Sequence, residues 1–281
     1  MRPLVLGCAQ FGNGYGFYIK TPQLGTETID AILRLSLENG VTELDLAQNY
    51  VGVVSNLARQ ETLKEFQLGT KVEYSPSDEH EITKKLHSDI NELGVVAFES
   101  ILVHNWSQLK NDERIKSLRF LNELKRQGLT KNIGISVYET SEIEDLEFEL
   151  DIVQAPLSYF NTDFLRNEVA VTSKSRGVRF VARSIFHQGT LLNPNALPNK
   201  FDKEKKVYED FCRKNTLSYL QAALSIFDAQ STFTKLVIGV SDSNQLSEII
   251  GCRAEFDSTL LAQTPSNVSR ELADPRKWGT A

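Results

Sequence analysis

The sequence predicts a closed (β/α)8 barrel of the TIM type, formed by one domain that spans residues 1–281. Strand-like and helix-like hydrophobic patterns alternate about eight times along the chain, which is the order that produces a parallel sheet. The length of 281 residues suits one barrel, and no change in composition marks a second domain. A doubly wound open sheet is the alternative, but the first strand is not followed by Gly-x-Gly-x-x-Gly.

Short apolar or alternating runs predict the strands. These runs cover residues 3–9, 41–47, 67–72, 100–104, 132–137, 152–156, 178–184 and 235–240. Runs with apolar residues three or four positions apart predict the helices between them. The helical runs cover residues 26–39, 54–66, 78–93, 112–127, 163–175, 203–214 and 218–230. Gly40 and Gly128 mark the ends of the first and the fourth helix.

Capping signals and loop compositions complete the prediction. Residues 141–144, Ser-Glu-Ile-Glu, and residues 242–245, Asp-Ser-Asn-Gln, have the spacing of capping boxes. Each predicts the start of a further helix, the second of which extends to residue 250. Residues 10–25 are rich in glycine and aromatic side chains, so we expect a loop that forms a pocket wall above the first strand. The proline- and asparagine-rich residues 193–202 predict a connection.

The composition excludes several classes of function. The net charge is −6 and no basic patch occurs, so nucleic acid and anionic membranes are not expected partners. Cys8, Cys212, Cys252 and the four histidines show no metal-ligand spacing, which favours free thiols in a reducing compartment. No signal-peptide pattern precedes the first strand, and no run approaches the roughly 20 apolar residues of a membrane helix. We therefore expect a cytoplasmic protein, and the oligomeric state stays open.

Four polar side chains stand at or just beyond the ends of three successive predicted strands. Asp45 and Tyr50 accompany the second strand, Lys71 the third and His104 the fourth. In a parallel barrel the C-terminal strand ends carry the reacting groups, so we expect these side chains to meet. The ordinary pKa of a tyrosine is about 10, and a nearby cation must lower that pKa before the side chain can act as a proton donor near neutral pH. Lys71 and His104 are the candidate cations.

In this order of residues the chain resembles the aldo-keto reductases. Their Asp-x-Ala-x-x-Tyr motif matches Asp45, Ala47 and Tyr50, and Lys71 and His104 follow at family-like intervals. The resemblance implies reduction of a carbonyl compound with Tyr50 as the proton donor. It assigns Lys71 and Asp45 to an ion pair that supports Tyr50, and it assigns His104 to the alignment of the carbonyl oxygen.

The resemblance extends over nearly the whole chain, from residue 6 to residue 278. Residues 10–12, 134–137 and 182–189 are similar to a bacterial branch of the family that is often associated with surface-polysaccharide pathways. That similarity implies a small, sugar-like carbonyl substrate. Residues 160–164 and 274–278 are candidates for the border of the pocket, with plain packing as the alternative.

The resemblance also implies a nicotinamide cofactor and the residues that hold it. Ser136 and Gln154 match the positions that bind the nicotinamide amide, and Arg183 matches the position whose side chain covers the ring. Ser241 and Gln245 are expected to receive the adenosine phosphate at the start of the last helix, since helix N-termini favour anions. The segment expected to wrap the pyrophosphate contains Ser184, Phe186, Gln188 and Gly189.

Two departures from the family pattern concern this cofactor. Val137 stands where an asparagine usually follows the serine. Residues 239–248 contain no lysine or arginine, although family members that prefer NADPH place a basic residue there, and Gln245 falls about where an arginine is expected. NADP(H) is the family default, and NAD(H) is the alternative that the missing basic residue favours.

Two other classes of function stay open. A barrel of this family can bind cofactor as a regulatory or non-catalytic subunit, which Val137 and the missing basic residue favour and the four-residue set opposes. A barrel hydrolase or aldolase would use Asp45 as a carboxylate or Lys71 as an amine nucleophile. A glycosidase needs two placed carboxylates, and the sequence offers no convincing partner for Asp45.

Overall fold

Eight parallel strands form a closed barrel in which each strand pairs with the next in the chain and the last pairs with the first. The computed structural model describes residues 2–12, 23–144, 150–167, 177–252, 259–266 and 268–278. The strands are β1 Leu4–Gly7, β2 Glu43–Asp45, β3 Gln67–Val72, β4 Phe98–Val103, β5 Thr130–Ser136, β6 Ile152–Pro156, β7 Arg179–Arg183 and β8 Phe233–Ile238. The predicted fold class and its eight strands are confirmed.

Helices pack around the outside of the barrel because each has one apolar face. In the first helix Ile29, Ile32 and Leu33 recur at helical spacing and are fully buried. Gly40, with a φ of 72°, stops this helix as predicted. No helix in the described ranges is long and apolar enough to cross a membrane. The described helices are α1 Thr26–Glu38, α2 Val53–Leu57, α3 Glu79–Leu93, α4 Asn111–Arg126, α5 Asp163–Arg166, α6 Asp202–Lys214, α7 Tyr219–Asp228, α8 Ser243–Gly251 and α9 Arg270–Ala273.

The apolar core has an outer layer and an inner layer. The outer layer lies between the strands and the helices and contains most of the buried hydrophobic side chains. A small separate cluster contains Leu102, Ile152 and Val181, with Val237 packed against it. Leu102 pairs in register with Lys71, so both side chains point to the same face of the sheet. Because Lys71 points into the cavity described below, the small cluster fills the barrel interior beneath it.

The predicted helix over residues 54–66 is wrong. The chain instead forms the short helix α2 and then a separate 3-10 turn, Glu61–Glu65. Gln60 separates them because its backbone is extended, with φ −91° and ψ 121°. The Gln60 side chain is buried and donates to the Asn56 carbonyl. This local hydrogen bond gives the buried Gln60 amide a partner, which the regular pattern of a continuous amphipathic helix does not provide.

Three other helix predictions need correction. The capping interaction lies two residues before the predicted 141–144 box, because the Glu142 carboxylate accepts from the Glu139 N–H at the start of the 3-10 turn Thr140–Glu142. The helix predicted over residues 163–175 ends at Arg166, since Asn167 is extended, and residues 168–176 lie outside the described residues. The short helix α9 follows the one predicted as final. Most of the loop predicted at 10–25 also lies outside the described residues.

Gly134 gives a direct test of the barrel register. A Cβ at this position would lie 2.1 Å from the Ile152 carbonyl oxygen and 2.7 Å from Leu102 Cδ2. We expect Gly134→Ala to lower the free energy of unfolding by about 3 kcal/mol or more, because backbone atoms of β6 must move. Urea denaturation measures this change. Gly251→Ala, where a Cβ meets nothing within 4 Å, should change stability by less than about 1 kcal/mol. Equal effects of the two substitutions would contradict the register.

Candidate active site

The C-terminal ends of the strands surround a cavity of about 430 Å³. Asp45 ends β2, Lys71 lies near the end of β3, and His104 directly follows β4. Tyr50 reaches the same cavity from the turn after β2. The structure therefore brings together the four side chains singled out from the sequence, at the end of the barrel where parallel strands present functional groups.

Lys71 and Asp45 form a buried ion pair at the floor of the cavity. Lys71 Nζ donates to Asp45 Oδ2 at 2.5 Å and to the Leu46 carbonyl at 3.1 Å. The Lys71 side chain is only 2% exposed, and that of Asp45 is 13% exposed. Gln154 Nε2 donates to the other carboxylate oxygen, Asp45 Oδ1, at 3.0 Å. The carboxylate is thus held from both sides, and it fixes the ammonium group at a single place.

Tyr50 lies between this ion pair and His104. The Lys71 ammonium nitrogen is 5.8 Å from the centroid of the Tyr50 ring. The rings of Tyr50 and His104 meet edge to face, with centroids 6.3 Å apart. The phenol is therefore close to a fixed positive charge and to an imidazole, both of which face the same cavity.

The surroundings of His104 keep its imidazole neutral. Burial lowers the His104 pKa from its ordinary 6.5 to about 3, and the positive charges of Lys71, Arg183 and Arg276 lower it further in the same direction. Its Nδ1 atom is buried and has no hydrogen-bond partner among the described residues. A neutral imidazole keeps one N–H group, so it can donate a hydrogen bond but cannot serve as a strong acid.

His104 should therefore not titrate in the usual histidine range. The unfolded chain takes up this proton near pH 6.5, whereas the folded chain does so only near pH 3. The contribution of His104 to the free energy of unfolding should thus fall as the pH drops through that window. Histidine ring C–H shifts in NMR spectra, assigned with His104→Gln, measure the folded pKa. A midpoint for His104 at about pH 6 to 7 would contradict the buried, cation-lined environment.

The loop after β7 has an unusual backbone. Ser184, His187, Gln188 and Gly189 have φ angles of 64°, 50°, 59° and 83°. Non-glycine residues pay of order 1 kcal/mol or more for such a conformation, so the surrounding structure must hold it. The buried His187 does so, because its Nε2 donates to the Leu272 carbonyl at 2.8 Å and its ring contacts Trp278. Burial lowers the pKa of His187 to about 4, so the imidazole that makes this hydrogen bond is uncharged at neutral pH.

The loop after β7 and residues at the start of α8 line the cavity. Within the described ranges, the N–H groups of Ile185 and Phe186 have no hydrogen-bond acceptor. Asp242 caps α8 by accepting from the Gln245 N–H at 2.9 Å, as the sequence predicted. The Gln245 side chain accepts from the Ser241 N–H at 2.9 Å. Positive φ angles and helix starts both favour bound anions such as phosphate groups.

Three polar atoms on the cavity wall have no partner among the described residues. They are Gln154 Oε1, Ser158 Oγ and Asn161 Oδ1, all buried. Buried polar atoms without partners are costly, so their presence on a cavity wall indicates a polar ligand. Two amide oxygens and one hydroxyl match the hydrogen-bonding needs of a primary carboxamide such as that of nicotinamide. The residues present therefore fit a nicotinamide group.

Two arginines gather around Tyr138 at another part of the wall. The guanidinium carbon of Arg276 lies 3.3 Å from the Tyr138 ring centroid, and that of Arg183 lies 4.2 Å from it. Arg183 also donates to the Val137 carbonyl at 2.8 Å. Asp274 binds Arg276 through two nitrogens, with Nη2 to Oδ2 at 2.7 Å and Nε to Oδ1 at 2.9 Å.

Most of the residues singled out for cofactor binding line this one cavity. Ser136 is the exception: it is 1% exposed at the end of β5 and does not line the cavity. Ser136 pairs in register with Gln154, so its side chain points to the same face of the sheet as that of Gln154, but it stays covered. The residues that do line the cavity are Gln154, Arg183, Ser184, Phe186, Gln188, Gly189, Ser241 and Gln245. Their individual roles remain predictions.

Several lining residues were missed or only partly anticipated. Ser158 and Tyr138 had no motif to mark them, although each follows a predicted strand by one or two positions. Asn161 and Arg276 lie in the two segments named as candidate pocket borders, and both line the cavity. Position shortly after a strand end was therefore the usable signal, while residue type was not.

The sequence matches a known protein family, and solved structures share the fold. Residues 3–263 match the model of the Aldo/keto reductase family. An aldo-keto reductase from Bacillus halodurans, solved in its holo form, superposes with a TM-score of 0.74 at 17% identity, over 97% of this chain and 95% of that one. A protein from Pseudomonas aeruginosa assigned to the aldo-keto reductases superposes with a TM-score of 0.65 at 16% identity, over 89% and 88% of the two chains. No curated protein sequence matches the chain significantly. At these identities the structural likeness concerns the fold.

Proposed function

Because the chain belongs to the aldo/keto reductase family of NAD(P)H-dependent oxidoreductases, we propose that it reduces a small, sugar-like aldehyde or ketone to the alcohol. The observation that carries the proposal is the convergence of Asp45, Tyr50, Lys71 and His104 on one cavity. Such a set joins a proton donor, a fixed cation and a neutral hydrogen-bond donor around one point.

The four side chains divide the work of protonating a carbonyl oxygen. Tyr50 donates its phenolic proton to that oxygen as the carbon is reduced. The Lys71 ammonium stabilises the phenolate that Tyr50 becomes, and each 1.4 kcal/mol of such stabilisation is worth about one pKa unit. Asp45 holds the ammonium in place through the 2.5 Å contact. The neutral imidazole of His104 donates to the same carbonyl oxygen and orients it.

The cofactor supplies the hydride when bound, since no protein side chain can do so. Gln154, Ser158 and Asn161 would hold the nicotinamide amide, and Arg183 would face its ring. The loop from Ser184 to Gly189 would bind the pyrophosphate. Ser241 and the start of α8 would receive the adenosine phosphate. The three buried polar atoms without partners and the N–H groups at the cavity support this placement.

The cofactor preference should depend on Gln245. The 2′-phosphate distinguishes NADPH from NADH, and residues 239–248 offer it no cation. We expect the wild type to bind NADH at least as tightly as NADPH. Gln245→Arg should raise the NADPH affinity about tenfold relative to NADH, the usual size of one charge-assisted hydrogen bond. Dissociation constants from fluorescence titration measure the ratio.

Gln221→Arg is a matched control for this change. Gln221 caps α7 through two hydrogen bonds with Ser218, much as Gln245 bonds Ser241 and Asp242 at the start of α8, and it does not line the cavity. The control therefore adds the same charge and removes the same cap elsewhere. A rise in NADPH affinity with both variants would show a general charge effect, and no rise with Gln245→Arg would contradict the placement of the adenosine phosphate.

A direct assay of cofactor absorbance tests the reaction itself. Purified protein with NADPH or NADH and a panel of aldoses, ketoses and simple aldehydes should consume the cofactor in proportion to the alcohol formed. The product is identified by chromatography. Cofactor binding without turnover of any carbonyl compound would reject the catalytic proposal in favour of a regulatory, cofactor-binding barrel.

A further inference from the structure

Arg276 is fixed at the cavity wall by its own short turn. It belongs to the 3-10 turn Pro275–Lys277, which Asp274 caps by accepting from the Arg276 N–H at 3.1 Å. Asp274 stays ionised, since the Arg276 guanidinium lowers its pKa although burial opposes this. The two carboxylate contacts use Nε and Nη2 of Arg276. Within the described part of the chain, Nη1 has no hydrogen-bond acceptor, so it can donate to a ligand.

The second arginine has no carboxylate of its own. Arg183 donates to the Val137 carbonyl and to Ser184 Oγ, and among the described residues it forms no ion pair. Its guanidinium shares the Tyr138 ring with that of Arg276. The Tyr138 ring attracts both guanidinium groups, but it does not cancel the repulsion between their two positive charges. An anion beside them would reduce that repulsion.

The charged side chains on the cavity wall are not balanced. The described lining contains three cations, Lys71, Arg183 and Arg276, but only two carboxylates, Asp45 and Asp274. Lys71 pairs with Asp45 and Arg276 with Asp274. One positive charge therefore remains, on the side of the cavity where Tyr138 follows β5. A narrow cavity with low-dielectric walls strengthens the attraction of such a charge for an anion.

Arg276 lies apart from the groups assigned to the cofactor phosphates. Those groups follow β7 and β8, whereas Arg276 contacts Tyr138 after β5. Arg183, which carries the unpaired charge, ends β7 and donates to Ser184 Oγ, so it contacts both parts of the wall. The charges of Arg183 and Arg276 also act on His104 after β4, where they help to lower its pKa. The two cations and His104 line the same cavity, so an acid group of a substrate whose carbonyl group binds His104 lies within reach of their charge.

We propose that Arg276, with Arg183 beside it on Tyr138, binds a carboxylate group of the carbonyl substrate, so that the enzyme reduces aldehydes or ketones that carry an acid group. This inference rests on the proposed carbonyl reduction and names its substrate class. A guanidinium group matches the planar geometry of a carboxylate. One excess positive charge also suits a carboxylate monoanion better than a phosphate group, which carries about −1.5 to −2 at neutral pH. A sugar acid with a free carbonyl group belongs to this class.

A pair of substrates that differ in charge and by one methyl group tests the inference. The probes are 4-carboxybenzaldehyde and its uncharged methyl ester, methyl 4-formylbenzoate, assayed for kcat/KM with saturating cofactor. The wild type should favour the acid by about tenfold or more, the usual effect of a hydrogen bond to a charged group. Arg276→Gln should reduce that ratio about tenfold. Arg276→Lys keeps the positive charge but not the planar pair of N–H donors, so it should reduce the ratio less than Arg276→Gln.

Arg270→Gln is the matched control. Arg270 lies on the same C-terminal segment, pairs with Glu139 and is 78% exposed outside the cavity. This variant should keep the wild-type ratio. Equal kcat/KM values for acid and ester in the wild type, or an unchanged ratio in Arg276→Gln, would overturn the inference and leave carbonyl reduction standing. A stronger preference for glyceraldehyde 3-phosphate over glyceraldehyde than for the acid over its ester would overturn the carboxylate assignment.

A binding measurement separates this inference from the reaction. Calorimetry with 4-(hydroxymethyl)benzoate, the alcohol that the acid probe would yield, needs no turnover. It should bind the wild-type cofactor complex about tenfold more tightly than the Arg276→Gln complex. Equal affinities would overturn the inference whatever the activity. If neither aldehyde were turned over but the affinities differed as expected, the proposed reduction would be contradicted. The inference that Arg276 binds a carboxylate would then still stand.

Discussion

Tyr50→Phe is expected to lower kcat by about 10² to 10⁴, the usual contribution of a positioned proton donor. The substitution removes only the hydroxyl group, so the ring keeps its contacts with His104 and Lys71. Cofactor affinity should change little, because Tyr50 is assigned to the substrate oxygen and not to the cofactor. Steady-state rates and cofactor titrations on the same preparation measure both quantities. Turnover near the wild-type rate would reject Tyr50 as the acid.

Tyr219→Phe is the matched control for the loss of a tyrosine hydroxyl. Tyr219 is 37% exposed at the start of α7, far along the chain from the site, and does not line the cavity. We expect its kcat to equal that of the wild type. A large loss of kcat in both variants would point to a general effect on folding, which thermal unfolding of each variant would reveal.

Lys71→Met is expected to cost both stability and activity. Lys71 is 2% exposed and makes the 2.5 Å contact with Asp45, so its removal leaves a mostly buried carboxylate without its cation. Breaking one side of a buried ion pair typically lowers the free energy of unfolding by about 3 kcal/mol or more. The phenolate of Tyr50 also loses the positive charge that stabilises it, so kcat should fall at least as far as in Tyr50→Phe. Urea denaturation and steady-state rates measure these effects.

The surface pair Lys116–Asp112 is the control for the ion-pair prediction. Its side chains are 52% and 66% exposed, and their nitrogen and oxygen lie 3.3 Å apart. Exposed pairs contribute about 0 to 1 kcal/mol, so Lys116→Met should be nearly neutral and fully active. If Lys71→Met were as stable as Lys116→Met, the ion pair could not be the element that fixes the cation at the cavity floor.

The barrel could be predicted because its strands and helices are regular. Alternating apolar runs such as Gln67–Val72 depend only on neighbouring residues, and the parallel connection of such runs leaves few topologies. The helix predicted across Gln60 failed because the periodic pattern continues through a residue whose buried amide bonds to Asn56 instead. Hydrophobic periodicity cannot show which buried polar group needs a local partner.

The candidate active site was predicted to the extent that it lies at strand ends. Asp45, Lys71 and His104 follow from strand order and from the resemblance to the family. Arg276 is separated from them by most of the chain and lies in a three-residue turn without periodicity. Its contact with Tyr138 depends on how the C-terminal segment folds over the barrel. The register places the Ser136 side chain on the same face of the sheet as that of Gln154, yet Ser136 is 1% exposed and does not line the cavity, which strand order alone does not show.

Titration of the purified protein with NADPH and NADH, followed by tryptophan fluorescence, tests the central claim most directly. The chain has two tryptophans, and Trp278 contacts His187 in the loop assigned to the pyrophosphate, with ring centroids 5.0 Å apart. We expect saturable quenching by at least one cofactor, with a dissociation constant below about 1 mM, and loss of most of the signal in Trp278→Phe. No saturable binding of either cofactor up to about that concentration would contradict a nicotinamide-dependent reaction in this cavity.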